Sequence, residues 1–125
     1  MPTPSGPLIG ITGPCGSGKT TLAARLADHG LRARAIAQEH SFVPAMWQKL
    51  TRPDVLVFLD ASYETCTRRR RLNWEIWEYA EQLRRLEHAS GHADLHVETD
   101  RLTPDQVLQA VLDGLGLEPR PRHGV

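Results

Sequence analysis

The stretch "GPCGSGKT", residues 13–20, constrains this chain more than any other. It lies between the apolar run "PLIGIT" and the helix-like run "TTLAARLADHG". Glycines at 13, 16 and 18 allow backbone dihedrals that other residues avoid, so the loop can wrap tightly. Successive backbone N–H groups then turn inward and form an anion nest. A helix beginning at Lys19 adds its own free N–H groups and the positive end of its dipole. The spacing fits G-x-x-x-x-G-K-[ST] in full, and the strand before and helix after are the context that the motif requires. A glycine-rich turn that merely joins strand to helix is the alternative, and the flanking elements favour the cradle. Gly13, Cys15, Gly16, Ser17, Gly18, Lys19, Thr20 and Thr21 are therefore expected to hold phosphate. Lys19 should reach the β and γ phosphates of a nucleotide, and the Thr20 hydroxyl should serve Mg²⁺.

The rest of the chain alternates in kind. A first strand ends near Thr12. A helix follows from Lys19 to about His29, with Leu22, Ala23, Leu26 and Ala27 at helical spacing and Gly30 as its stop. "RARAIAQ", residues 32–38, alternates charged and apolar positions, as a half-covered edge strand does. Pro44 breaks the next segment, and residues 45–50 can form a short helix. "RPDVLVFLD" carries the unbroken apolar run of a strand buried on both faces. Ser62 can cap a helix through the arginine run. A longer helix is expected from about Trp74 to Glu87, with Ile76, Ala80, Leu83 and Leu86 on its apolar stripe. "ADLHVETD" is a last strand, and Thr103 with Pro104 opens a last helix that Gly114 or Gly116 ends. Strands alternating with helices demand right-handed crossovers. The expected fold is α/β: three layers, α/β/α, around a mostly parallel sheet of about four strands in a single domain over residues 1–125. Residues 1–6 and 118–125 read as flexible ends.

Fifteen Lys and Arg balance fifteen Asp and Glu, so the basic excess of a general nucleic-acid binder is missing. No apolar stretch approaches the roughly 20 residues that span a bilayer, and the first residues lack a signal-peptide pattern. Two cysteines, Cys15 and Cys66, suggest no disulfide framework. The expected location is the cytoplasm.

Three segments together carry a resemblance. "GPCGSGKT", "DVLVFLDAS" followed by "RRRR", and "ADLHVETDRLTPDQVLQAV" resemble the small P-loop kinases, among them shikimate kinase, adenylylsulfate kinase and the nucleoside and nucleotide kinases. The resemblance implies a P-loop NTPase fold, ATP or GTP with Mg²⁺ as cofactors, and transfer of a phosphoryl group to a small acceptor. It also implies a lid after "LDAS", whose arginines close on the phosphates. Arg68, Arg69, Arg70 and Arg71 are its candidates here, with Arg68 and Arg71 carried forward as catalytic. A solvated helix face is the alternative for all four. The loop after the last strand, Thr99, Asp100, Arg101 and Leu102, implies a wall beside the nucleotide base, or simply a helix start.

Two acids end strands on the cradle's side of a parallel sheet, Glu39 and Asp60. Either can approach Mg²⁺, and the kinase resemblance favours Glu39, with Asp60 as a helix-capping acid. His40 reads as a loop histidine or as a group that orients an acceptor. Trp47, Trp74 and Trp77 read as packing residues. His88, His92 and His96 would align on a continuous helix, but Gly91 and the following strand interrupt it, so a metal site is not expected there. Cys15 reads as a small residue that fits the loop, with oxidation as the alternative.

The small kinases are longer. Between the second strand and "LDAS" they carry an acceptor-binding segment and a further strand, where this chain has only "EHSFVPAMWQKLTRP". Three functions follow. The first is a minimal ATP-dependent small-molecule phosphotransferase using Lys19, Thr20, Glu39 and lid arginines. The second is a nucleotide-binding subunit or slow NTPase completed by another chain. The third is a reduced relative that keeps only a phosphate site. A homodimer is an expected way of covering the edge strand and apolar side chains left by the shortening.

Overall fold

The computed structural model describes residues 6–117, so the expected flexible ends lie, Gly6 apart, outside the described residues. The element order is β1 (Leu8–Thr12), α1 (Lys19–Asp28), β2 (Arg32–Ala35), a 3₁₀ turn (Gln38–His40), a π-helical turn (Trp47–Thr51), β3 (Val55–Asp60), α2 (Tyr63–Arg70), α3 (Ile76–Arg85), α4 (Glu87–His92), β4 (Leu95–Glu98) and α5 (Pro104–Leu115). The four strands form one sheet in the order β2-β1-β3-β4. Every pairing is parallel, with Ile9 opposite Ala33 and Val55, and Val57 opposite Leu95.

Side chains alternate across the strands and build two cores. Ile9, Ile11, Val57, Leu59 and Val97 face one way and pack with Leu22 and Leu26 of α1 and Val107, Leu108, Val111 and Leu112 of α5. Burying one such side chain stabilises the fold by about 2 kcal/mol. The opposite face is thinner. Leu56 packs there with Ile36, Trp47 and Ala89, which come from the end of β2, the π-helical turn and α4. The chain is thus a three-layer α/β/α sandwich around a parallel sheet. Gly10 sits where β1 is crowded on the thin side: a Cβ there would lie 2.8 Å from Ile36 Cδ1 and from Pro53 Cβ.

Helix limits follow from local chemistry. Ser62 Oγ accepts the Thr65 N–H and caps α2. Thr103 and Gln106 form a reciprocal capping box at α5, Pro104 takes its first position, and Gly116 ends it at φ 67°. An Arg25–Asp105 ion pair ties α1 to the start of α5.

Three expectations need correction. The long helix is two helices, α3 and α4, with Leu86 at the junction. Only the C-terminal half of its predicted stripe turns inward: Leu86 is fully buried and Leu83 half-buried, but Ile76 is 63% exposed and Ala80 is exposed, whereas Gln82 is buried. The physical reason is that α3 covers polar strand ends rather than an apolar sheet face. Trp77 does not pack, being 66% exposed, while Trp47 is buried and donates its Nε1–H to His88 Nδ1 at 3.0 Å. Trp74 stacks on Tyr63 and donates to Thr67 Oγ1. His88 and His92 stack on α4 with ring centroids 4.2 Å apart, and His96 stands away on β4 against Phe58. No helix among the described residues is long and apolar enough to cross a membrane.

Candidate active site

The parallel sheet places the segments after β1, β2, β3 and β4 along one edge, and the cradle lies there. Gly13 leaves β1 at φ 154°, with no room for a side chain: a Cβ would lie 2.5 Å from the Leu59 carbonyl oxygen and 2.6 Å from Ser17 Oγ. Gly18 begins α1 at φ 102°, in the left-handed region, and a Cβ there would meet nothing within 4 Å. Glycine therefore serves close packing at one end of the loop and an open face at the other. The Ser17 N–H donates to the Pro14 carbonyl at 3.0 Å, and the Cys15 N–H donates to Gln82 Oε1 at 2.9 Å. The amides of Gly16, Gly18, Lys19 and Thr20 have no partner among the described residues. Free donors at the positive end of α1 are what an anion site needs.

A cleft of about 630 Å³ opens over these amides. Its walls are the loop from Cys15 to Thr21, the end of β2 with Glu39 and His40, Arg69 and Arg70 of α2, and the apolar group Leu102, Pro104 and Val107. Lys19 crosses its floor. The ammonium donates to the carbonyls of Gly13 at 2.8 Å and Pro14 at 3.2 Å, and to Glu39 Oε2 at 2.7 Å. Those three acceptors match its three protons. Glu39 is held by the 3₁₀ turn directly after β2, and β2 pairs directly with β1, so the acid stands beside the cradle. His40 is exposed, with Nε2 3.8 Å from Glu39 Oε2.

Two atoms at this site are left over. Glu39 Oε1 and Ser17 Oγ are buried and have no hydrogen-bond partner among the described residues. A buried carboxylate oxygen without a partner is costly unless something else meets it. The oxygens of Glu39 and Thr20 are the hard donors that suit Mg²⁺, which keeps most of its waters and needs few protein ligands. The residues present therefore fit a phosphate-bound Mg²⁺.

The structure separates the remaining candidates. Of the four arginines, Arg69 and Arg70 line the cleft, and Arg68 and Arg71, those singled out as catalytic, do not. The reason is helical geometry: consecutive residues point about 100° apart, and α2 ends at Arg70 while Arg71 turns away at φ 52°. Arg69 is engaged as a strap. It donates to Thr99 Oγ1 at 2.9 Å, the Thr99 carbonyl at 2.6 Å and the Ser17 carbonyl at 3.3 Å. Arg70 has no partner among the described residues. Asp60, Asp100 and Arg101 lie outside the cleft as well, and line a second cavity of about 410 Å³ with Glu98 and Tyr79. Asp60 is thus away from the Thr20–Glu39 pair. Asp100 serves the chain itself: its carboxylate accepts the Ser62 N–H at 2.9 Å, and that bond holds its pKa below the usual carboxylate value. Cys66 lies under Gly16, and burial pushes its thiol pKa up to about 11.

Sequence reasoning missed Gln82. It belongs to no motif and falls between the residues of the expected apolar stripe, so no local signal marks it.

A family model described as an AAA domain matches residues 9–56, from β1 through the cradle and β2 into β3. No curated protein matches the chain. Fold, cradle and family match together define a P-loop nucleotide-binding protein.

Proposed function

We propose that the protein is a minimal phosphotransferase, using the γ phosphate of ATP or GTP with Mg²⁺ to phosphorylate a small acceptor. The observation that carries this reading is the buried Lys19–Glu39 pair, 2.7 Å apart, with the second carboxylate oxygen of Glu39 unpartnered. A phosphate site alone needs the amides and Lys19. The acid pairs with Lys19 through one oxygen, and its other oxygen, without a partner among the described residues, supports a second cation beside the phosphates.

The roles follow from position. The amides from Gly16 to Thr20 bind phosphate oxygens. Lys19 exchanges its loop carbonyls for those oxygens and stabilises charge as it builds up during transfer. Thr20 and Glu39 would hold Mg²⁺, which would supply charge neutralisation to the phosphates. Arg70, uncommitted and on the cleft wall, is placed to approach the moving phosphoryl group. Leu102, Pro104 and Val107 offer an apolar surface for the base. His40, exposed beside Glu39, marks the acceptor's side.

The test is a thermal-shift and turnover series with ATP, GTP and ADP, with and without Mg²⁺, against a panel of small hydroxyl and phosphate acceptors. Stabilisation that needs Lys19 and grows with Mg²⁺, together with ADP formation that depends on one acceptor, is the expected result. Binding unchanged in Lys19→Ala sinks the reading.

A second reading has its own observation. Phe42 and Leu50, in the short segment standing where an acceptor module would be, are 81% and 76% exposed. A nucleotide-binding subunit whose acceptor side is completed by a second chain would cover them. Turnover appearing only in a complex, or rising with self-association, distinguishes it.

A further inference from the structure

Helix α3 lies across the edge that carries the cradle and bonds three strand ends with residues spaced three apart. The Tyr79 hydroxyl donates to the Ala61 carbonyl, just after β3, at 2.6 Å. Gln82 Oε1 accepts the Cys15 N–H, after β1, at 2.9 Å. Arg85 Nη1 donates to the Glu39 carbonyl, after β2, at 3.4 Å. Read from Arg85 to Tyr79, the helix meets the strands in their sheet order, β2, β1, β3. The middle contact falls on the phosphate loop.

We propose that Gln82 is the positioning residue of the phosphate cradle. Its carboxamide oxygen holds the Cys15 amide back from the cleft, fixes the loop's curvature and leaves the amides that follow aimed at the anion. The claim rests on the cradle reading above and adds a residue from a distant helix to it. Loop amides divide into two sets. Those of Cys15 and Ser17 are bonded within the protein, and those of Gly16, Gly18, Lys19 and Thr20 are not. The first set gives shape and the second gives binding. The rival role, a side chain plugging the place of a phosphate, requires Gln82 to face the cleft. Gln82 is buried at 9% exposure and is not among the cleft's walls. A carboxamide also suits the task electrically, because it accepts the N–H without adding a negative charge beside a polyanion.

The experiment is a pyrophosphate titration of the full chain, followed through backbone amide resonances. In the wild type, the amides of Gly16, Gly18, Lys19 and Thr20 should shift on binding while Cys15 and the Gln82 side-chain NH₂ stay in place. A Cys15 amide that shifts with them while the Gln82 signals are released shows a displaced plug and overturns the proposal. Gln82→Met, similar in length but without the acceptor, should bind pyrophosphate about tenfold more weakly, the loss expected for one hydrogen bond. Equal or tighter binding by that variant overturns the positioning role and leaves the cradle standing. A wild type that binds no pyrophosphate overturns the cradle itself. Should Gln82→Met fail to fold, the wild-type titration decides alone.

Discussion

Lys19 Nζ stands 2.7 Å from Glu39 Oε2, with the two side chains only 10% and 5% exposed. The pair couples stability to binding. Lys19→Met leaves a buried carboxylate without its cation, a change that costs roughly 3–5 kcal/mol. Chemical denaturation should show that loss, and the nucleotide-induced thermal shift should vanish. Adding Glu39→Gln to the same chain should restore much of the stability and none of the binding.

Glu39→Gln alone separates phosphate from metal. The amide oxygen can still accept from Lys19, so binding of nucleotide without Mg²⁺ should persist or improve. The strengthening by Mg²⁺ should fall at least about tenfold, since among the described residues the carboxylate is the only acid lining the cleft. Calorimetric titration of ATP with and without Mg²⁺ reads both quantities.

Neighbouring arginines should behave in opposite ways. Arg69→Ala removes hydrogen bonds that join α2 to Thr99 and to the cradle, at a stability cost of about 1–2 kcal/mol. Arg70→Ala should change stability by less than about 0.5 kcal/mol, because no hydrogen bond or ion pair among the described residues is lost. Its effect should appear in the rate of phosphoryl transfer, measured by ADP release under saturating nucleotide.

The Cys66 thiol gives an alkaline signature. Burial raises its pKa from 9.0 to about 11, so the folded state keeps a proton that the unfolded state loses first. The stability linked to this group is complete below pH 9.0 and is lost as pH rises through about 11. Thiol labelling of native protein near neutral pH should modify Cys15 and spare Cys66, which is fully buried. Cys66→Ala should flatten the alkaline loss that Cys66 contributes, leaving the smaller slope due to Tyr79, whose pKa burial also raises, to about 12.

Asp100 titrates in the other direction. Its lowered pKa comes chiefly from the Ser62 N–H, so the linked stability is present above the ordinary carboxylate range and disappears as acid protonates the folded group. Asp100→Asn should be closer to wild type at low pH than at neutral pH when both are unfolded by denaturant.

The strands, the cradle and the capped helices were legible because each is written locally. Apolar runs mark β1 and β3, and glycine spacing marks the loop. Ser62, Thr103 and Pro104 mark helix starts. What escaped was long-range. The inward face of α3 is set by the strand ends that it covers, and these want hydrogen bonds rather than methyl groups. Hence Gln82 turned in while Ile76 stayed out. The arginine run stated its charge but not its direction, and only the end of α2 fixes which members reach the cleft. Glu39 and Asp60 both end strands, and only the resemblance, not the local sequence, favoured Glu39. Strand order separates them: β2 lies beside β1 on the cleft's side, and Asp60 opens onto the second cavity.

The direct pairing of β2 with β1 has a consequence for the outline of the cleft. With no strand between them, the cradle lies one step from the rim of the sheet instead of near its middle. The rim strand, half bare to solvent, therefore doubles as a margin of the cleft: its last residues and the turn beyond them form the wall on that side.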